Sequence, residues 1–243
     1  MQRSPCRGCL AEAGRSECLF LSESLSQIAS DAVKLVDVII PFGGPSYAAS
    51  YSHVGKAGPL LAFPIEASIV PNQGNRLIGK IRVLHGKNRP GFKGSGVIYE
   101  ALSRLEKEFP YDFEIVAPER LPFNEYLQLL GTVNVVVDQL YGDGLGMNAL
   151  LAMAAHCVVL SSFDRVKEGG LDLIAAPAIQ LGTTADAIFA QLSELRQWSA
   201  EEFGAVGAAS RCYVEEHCAP VTIAAEIAER WERASPQEVR VRQ

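Results

Sequence analysis

The chain has 243 residues, of which 48% are hydrophobic and 21% charged, a balance typical of a packed globular protein and not of a disordered one. Its formal net charge of −6 argues against a general affinity for nucleic acid. The sequence contains no apolar run near the roughly 20 residues of a membrane-spanning helix, and its first residues lack the hydrophobic core of a secretion signal. We therefore predict a cytoplasmic protein without a transmembrane segment, and leave peripheral membrane contact open.

The first residues carry three of the six cysteines, at Cys6, Cys9 and Cys18. A CxxC pair with a third thiol nearby suggests zinc, but a structural zinc site takes four ligands, usually as two spaced pairs. The sequence has no second pair and no nearby histidine. We interpret these residues as ordinary thiols in a mobile segment and predict no metal, with zinc as the alternative.

The front of the chain, residues 1–75, contains few regular elements. Residues 17–35 have helical periodicity, and 37–41 and 60–64 are typical of short strands. A rise in proline, asparagine and glycine predicts a linker over residues 65–75. Two short strands cannot close a core, so we interpret this section as a remnant of an amino-terminal acceptor domain, with its linker.

From residue 76 to residue 234, strands and helices alternate at a regular spacing. Strands are predicted at 81–84, 113–116, 133–137, 158–160 and 178–181, with helices between them and two final helices at 200–234. Such alternation is typical of a parallel sheet, because parallel strands need long crossovers. We predict an α/β fold with a Rossmann-like, doubly wound parallel sheet covered on both faces, and a frayed tail at 235–243.

The loop after the first strand, HGKNRPGFKGS at residues 85–95, is basic. It carries Lys87, Arg89 and Lys93, and its glycines Gly91 and Gly94 let the backbone approach a ligand. Arginine can grip phosphate oxygens with a planar fork, and lysine adds a compact charge. The loop is not a Walker loop, because GxxxxGK[ST] is absent.

A second loop, rich in glycine, follows the strand at 133–137 and leads into a helix of small residues. The exposed amides and the dipole at a helix start favour an anion such as a diphosphate. Glycine turns often bind nothing. However, loops that follow parallel strands open at one edge of the sheet, so the basic and glycine loops are expected to form one crevice.

Residues 81–162 resemble the nucleotide-sugar-binding domain of GT-B glycosyltransferases, in particular the family 4-like group. The asparagine-arginine loop of that group, which ends in lysine-glycine, corresponds to Asn88-Arg89 and Lys93-Gly94. Its aspartate-glutamine-leucine strand end stands at 138–140, and its ALEAMA-like helix at 149–154. The resemblance implies a retaining hexosyltransferase of polysaccharide or glycoconjugate synthesis. It would use a nucleoside-diphosphate sugar, no further cofactor, and a glycan or lipid-linked acceptor.

The resemblance also implies a set of nucleotide-sugar-binding residues and no assignable catalytic residue. The set comprises Arg89, Lys93, Gly94, Asp143, Gly144, Leu145, Gly146 and Met147.

Four positions depart from the group, one of which is Val158 in place of the usual proline. Leu151 stands where the group has a ribose-binding glutamate, His156 replaces the glycine after the helix, and Asp143 replaces a glutamate that contacts the sugar. Leucine cannot accept a hydrogen bond, so we expect weak donor binding and poor turnover. A glutamate at position 151 should tighten binding if its carboxylate stays hydrated.

Two other functions remain open. One is a non-catalytic GT-B-like protein that binds a nucleotide or a partner. The other is a Rossmann-like nucleotide binder of unrelated role, against which the absence of GxGxxG after the first strand argues.

Overall fold

The computed structural model describes residues 23–86, 88–118 and 121–234. Cys6, Cys9 and Cys18, the start of the helix predicted at 17–35, Lys87 and the tail predicted at 235–243 lie outside the described residues. Within the described parts of the chain, no helix combines the length and the apolar character needed to cross a membrane.

A five-stranded parallel sheet forms the centre of the molecule and confirms the predicted fold class. Its strands stand in the order β2-β1-β3-β4-β7, and a separate antiparallel hairpin is made of β5 and β6. The strands are β1 Ile81–Leu84, β2 Phe113–Val116, β3 Val135–Val137, β4 Val158–Ser161, β5 Lys167–Glu168, β6 Leu171–Asp172 and β7 Ile179–Gln180.

The helices connect these strands and extend beyond them at both ends. They are α1 Glu23–Leu35, α2 Pro45–Tyr51, α3 Pro90–Lys93, α4 Ser95–Glu108, α5 Phe123–Leu130, α6 Met147–Ala154, α7 Ala185–Glu194, α8 Ala200–His217 and α9 Pro220–Ala234. Single 3-10 turns occur at Ala67–Ile69 and Leu195–Gln197.

Helices cover both faces of the sheet, as the run of valines in β3 predicts. Val135 and Val137 belong to the apolar cluster that includes side chains of α4 and α7. Val136 belongs to the opposite cluster, which includes the side chains of α6. All three valines are fully buried, and each such burial contributes roughly 1.5–3 kcal/mol. This strand therefore suits only the interior of a parallel sheet.

The front section differs from its predicted form. The strands predicted at 37–41 and 60–64 are wrong, since these segments make only isolated parallel bridges: Ile39 with Ala57, Phe42 with Leu61, and Leu61 with Gly170. A strand needs a ladder of backbone partners, and apolar character alone does not supply one. Leu60 and Leu61 instead belong to the apolar cluster that includes the side chains of α6. The domain boundary predicted near residue 75 stays a prediction.

Candidate functional site

The order of the strands places a crevice at the carboxyl edge of the sheet. From β1 the chain crosses to β2 on one side, whereas β3, β4 and β7 lie on the other. The gap between β1 and β3 is therefore a switch point, where the connections turn to opposite sides of the sheet. The loops on its two sides diverge, and ligands of open parallel sheets bind in the gap between them. The basic loop follows β1 and the glycine loop follows β3, so the two predicted loops meet here. The crevice between them has a volume of about 280 Å³.

Most of the predicted site residues line this crevice. They are Arg89, Lys93, Asp143, Gly144, Leu145, Gly146 and Met147. Gly94 is not among the lining residues. It has φ 68° and lies between the end of α3 and the start of α4. A methyl group on Gly94 would lie 2.7 Å from Cβ of Leu140, so the basic loop packs directly on the end of β3.

Arg89 is an exposed cation that lines the crevice. It has a left-handed backbone, with φ 54°, at the start of α3. Its guanidinium carbon lies 4.4 Å from the centre of the Phe92 ring, a cation–π contact that restrains the side chain. The planar donor fork of Arg89 therefore stands at the solvent side of the crevice, where an anion would enter.

Lys93 differs from the free cation that the sequence suggests. Its Nζ donates to Oδ1 of Asp138 at 2.8 Å, and the two side chains are only 7% and 1% exposed. Nδ2 of Asn148 donates to the same carboxylate oxygen at 2.7 Å, and the Tyr126 hydroxyl donates to Oδ1 of Asn148. The ammonium group is thus neutralised by an aspartate at the floor of the crevice.

His85 holds the two strand ends together under the basic loop. Its Nδ1 lies 2.7 Å from the Val137 carbonyl oxygen and its Nε2 lies 2.8 Å from Oγ of Ser95. A carbonyl oxygen can only accept, so Nδ1 carries the proton and the Ser95 hydroxyl donates to Nε2. Burial lowers the pKa of His85 to about 4, so the ring is neutral near pH 7.

The glycine loop brings its backbone close to its neighbours. Nε2 of Gln139 donates to the Gly144 carbonyl at 2.7 Å, and a methyl group on Gly142 would lie 1.9 Å from that nitrogen. The helix α6 then begins after Gly146, which offers no side-chain cap. The first amides of a helix lack intrahelical partners, so those of α6 point an electropositive end towards the crevice.

The front section supplies a third wall that the sequence analysis missed. Gly43, Gly44, Tyr47 and Phe63 line the crevice opposite the glycine loop. A methyl group on Gly43 would lie 2.1 Å from the Phe63 ring, so that ring lies directly against the Gly43 backbone. The sequence signal for this wall is the Gly-Gly-Pro turn before α2, but nothing local indicates what it faces.

Leu151 and His156 take no part in the crevice walls described above. Leu151 is 8% exposed and belongs to the apolar cluster around α6. His156 lies beyond the end of α6 with φ 65°, and its Nε2 lies 2.6 Å from Oδ1 of Asn72. Burial is the main cause that lowers the pKa of His156. We assign no catalytic role to His156.

Among the described residues, no three or more histidine, cysteine, aspartate or glutamate side chains come together as a metal-binding group. Asp138 and Asp143 are the carboxylates that line the crevice, and each already accepts a hydrogen bond from the protein.

No protein-family profile matches this sequence, and no curated protein matches it by sequence search. Solved structures do match its fold. TarM superposes with a TM-score of 0.66 at 11% identity, over 89% of this chain and 48% of TarM. Sucrose-phosphate synthase from Thermosynechococcus elongatus superposes with a TM-score of 0.67 at 15% identity, over 94% of this chain and 66% of that one.

A third similar structure is HepE from Anabaena, solved in complex with UDP and glucose. It has a TM-score of 0.61 and 10% identity over 86% of this chain and 67% of HepE. The chain thus spans about half the length of TarM and about two thirds of the other two proteins. At this level of identity the likeness establishes the architecture: the chain has the fold of GT-B glycosyltransferases, chiefly their Rossmann-like carboxy-terminal half.

Proposed function

We propose that this chain is the donor-binding part of a glycosyltransferase that transfers a sugar from a nucleoside-diphosphate sugar to a glycan or lipid-linked acceptor. The observation that carries the proposal is the meeting of the basic loop and the glycine loop at the switch point of the sheet. Structures of the same fold, TarM and HepE, were solved with UDP, which is consistent with a diphosphonucleoside in this crevice.

The crevice is suited to a diphosphate. Arg89 offers an exposed guanidinium at its mouth, and the start of α6 offers backbone amides. Lys93 adds a donor held in place by Asp138. These groups would bind the donor from two sides and would stabilise the charge that grows on the diphosphate as it leaves. We propose Arg89, Lys93, Gly94, Asp143, Gly144, Leu145, Gly146 and Met147 as the residues that form this site.

In the proposed reaction, the bond between the anomeric carbon and the diphosphate oxygen breaks, and its electron pair stays on the diphosphate. An acceptor hydroxyl oxygen bonds to the anomeric carbon, and the hydroxyl proton passes to the diphosphate or to water. We propose retention of configuration and a family 4-like relationship from the sequence motifs at 88–94 and 138–154. No cofactor beyond the donor itself enters the proposal.

The test is calorimetric titration of the protein with UDP, GDP, UDP-glucose and GDP-mannose. We expect saturable binding of one base series, and we expect Arg89→Ala to weaken it by about tenfold or more, because a charged hydrogen bond is lost. Arg196→Ala is the matched control. Arg196 also stacks on a ring, 3.9 Å from the centre of Phe109, but beside Asp112 at the opposite end of the sheet.

Three outcomes would contradict the proposal. If none of the four ligands binds, the crevice is not a donor site. If Arg196→Ala weakens binding as much as Arg89→Ala, the nucleotide lies elsewhere. Binding that is never followed by release of the diphosphonucleoside, with glycan or lipid-linked acceptors present, would favour the non-catalytic alternative.

A further inference from the structure

A carboxylate joins the two opposite walls of the crevice. Oδ2 of Asp143, in the glycine loop, accepts a hydrogen bond of 2.6 Å from the backbone N–H of Ser46, in the first turn of α2. The two residues are 97 positions apart in the chain. This contact therefore fixes the position of the front wall relative to the glycine loop.

The start of α2 needs a partner from elsewhere. Its cap is Gly44, which has no side chain, and its first residue is Pro45, which has no N–H. The Ser46 amide is therefore the first donor of the helix, and such donors have no partner within the helix. Asp143 supplies the capping oxygen that a serine or aspartate at position 44 would normally supply, and its negative charge suits the helix start.

The backbones of the two walls are also too close for side chains. A methyl group on Gly44 would lie 2.5 Å from Oδ1 of Asp143, and one on Gly144 would lie 1.8 Å from the Gly43 carbonyl oxygen. Contacts under 3.0 Å force something to move. The glycines at 43–44 and 144 therefore permit the close approach that the Asp143 hydrogen bond uses.

We propose that Asp143 is a positioning residue that holds the front wall, with Tyr47 and Phe63, against the glycine loop. The glutamate at this position of the resembling group is expected to contact the sugar of the donor. Asp143 does not make that contact. Both oxygens of its carboxylate face the segment 44–46, and its arm is one methylene shorter than that of glutamate. The consequence for the sugar rests on the proposed donor site, whereas the contact between the walls does not.

Two substitutions of Asp143 separate the two roles. Asparagine keeps an oxygen that can accept from Ser46 but removes the charge. Glutamate keeps the charge but lengthens the arm, which collides with Gly44 unless the carboxylate turns away. A positioning role therefore predicts that Asp143→Asn preserves more function than Asp143→Glu. A sugar contact predicts the reverse order, because glutamate restores the charged arm.

The first measurement is amide hydrogen exchange of residues 43–51 in the nucleotide-free protein. We expect Asp143→Ala to accelerate exchange of the Ser46 amide by at least about tenfold, since the charged hydrogen bond that protects it is lost. Asp143→Asn should show a smaller acceleration, and Asp143→Glu should resemble alanine. Unchanged exchange in all three variants would overturn the proposal, whether or not any nucleotide binds.

The glycine side of the contact offers a second variant that leaves Asp143 in place. Gly44→Ala should accelerate the same amides, because the added methyl group displaces the wall. Gly96→Ala is the matched control, since its methyl group would meet nothing within 4 Å. Acceleration in both glycine variants, or in neither, would overturn the role given to the close approach.

The second measurement compares the affinities for UDP and UDP-glucose. A positioning residue predicts that Asp143→Ala weakens both by a similar factor, so their ratio stays within about twofold. A loss confined to UDP-glucose, restored by Asp143→Glu, would overturn the proposal and assign Asp143 to the sugar. If wild-type protein binds none of UDP, GDP, UDP-glucose and GDP-mannose, the proposed function fails, while the exchange experiment still decides the contact between the walls.

Discussion

Lys93 and Asp138 form a buried ion pair of 2.8 Å at the floor of the crevice, and Asn148 donates to the same aspartate oxygen. The pair joins the end of the basic loop to the end of β3. A buried charge without a partner is costly, so neither residue can be understood alone. Among its described lining residues, the crevice therefore presents one exposed cation, Arg89, and one cation whose charge is already balanced.

Removing the lysine should harm binding more than removing both members of the pair. In Lys93→Met the Asp138 carboxylate stays buried and unpaired, and its charge would repel the diphosphate of the ligand. We expect this variant to lose most of its UDP affinity and about 3–5 kcal/mol of stability.

The double variant Lys93→Met/Asp138→Asn removes that orphaned charge and keeps an oxygen for Asn148. Relative to Lys93→Met, the double variant should regain part of the lost UDP affinity and part of the lost free energy of unfolding. A double-mutant cycle, measured by calorimetry and by urea unfolding, gives the coupling between the two residues. Strictly additive losses would show that the pair does not act as a unit.

The two cations should respond differently to salt. Arg89 is exposed, so its attraction for a diphosphate is screened as ionic strength rises, whereas the buried Lys93 is shielded from mobile ions. We expect the defect of Arg89→Ala to shrink between about 0.05 and 0.5 M salt, where the screening length falls severalfold. Calorimetric titrations of wild type and variant across that range measure it. A defect that does not change with salt would place Arg89 in a buried contact.

The packing of Leu151 changes what we expect from a glutamate at this position. The sequence suggests that a glutamate here would restore a ribose contact if it stayed hydrated, but Leu151 is 8% exposed within an apolar cluster. Leu151→Glu should therefore lower the free energy of unfolding by roughly 3 kcal/mol or more. It should not tighten UDP binding.

Leu151→Met is the control for this substitution, because it keeps volume and apolar character and should cost less than about 1.5 kcal/mol. Urea unfolding gives the free energy of unfolding of both variants, and calorimetric titration gives their UDP affinity. A glutamate variant as stable as wild type, with tighter UDP binding, would mean that the position reaches the ligand.

The sheet and the placement of the two loops could be predicted because they depend on local patterns. The valines of β3 indicate a strand buried on both faces, and the alternation of strands and helices indicates parallel crossovers. Loops after parallel strands must open at one edge, so the crevice follows from the chain order.

The contacts that complete the crevice could not be predicted, since they join distant parts of the chain. Lys93 and Asp138 are 45 residues apart, and Ser46 and Asp143 are 97 apart. No local periodicity encodes such pairs. The strand prediction for the front section was wrong for a related reason. The apolar segments at 37–41 and 60–64 form isolated backbone bridges and not a continuous ladder.

His156 is an intermediate case. The sequence shows that it replaces a glycine of the resembling group, and the structure gives the physical reason for that glycine. The residue after the helix has φ 65°, and the amides of His156 and Cys157 bond back to Met153 and Ala152 in a Schellman motif. The left-handed backbone disfavours a side chain, and the hydrogen bond to Asn72 offsets part of that strain.

The pH dependence of stability should carry the signature of His85. Burial holds the pKa of this histidine near 4 in the folded protein, below its ordinary value of 6.5. As pH falls below about 6.5, the unfolded chain binds a proton at this position and the folded chain does not, so unfolding becomes easier. The stabilisation is complete above pH 6.5 and is lost progressively down to about pH 4.

The loss across this window should be on the order of 3 kcal/mol, since each pKa unit corresponds to about 1.4 kcal/mol. His85→Asn is the informative variant, because its amide can still donate to the Val137 carbonyl but cannot titrate. We expect its free energy of unfolding, measured with urea from pH 7 to pH 4, to fall less steeply than that of wild type. Carboxylates titrate in both proteins, so the difference between the two profiles isolates the histidine. Parallel profiles would show that His85 is protonated in the folded protein as readily as in the unfolded chain, and would contradict the lowering of its pKa by burial.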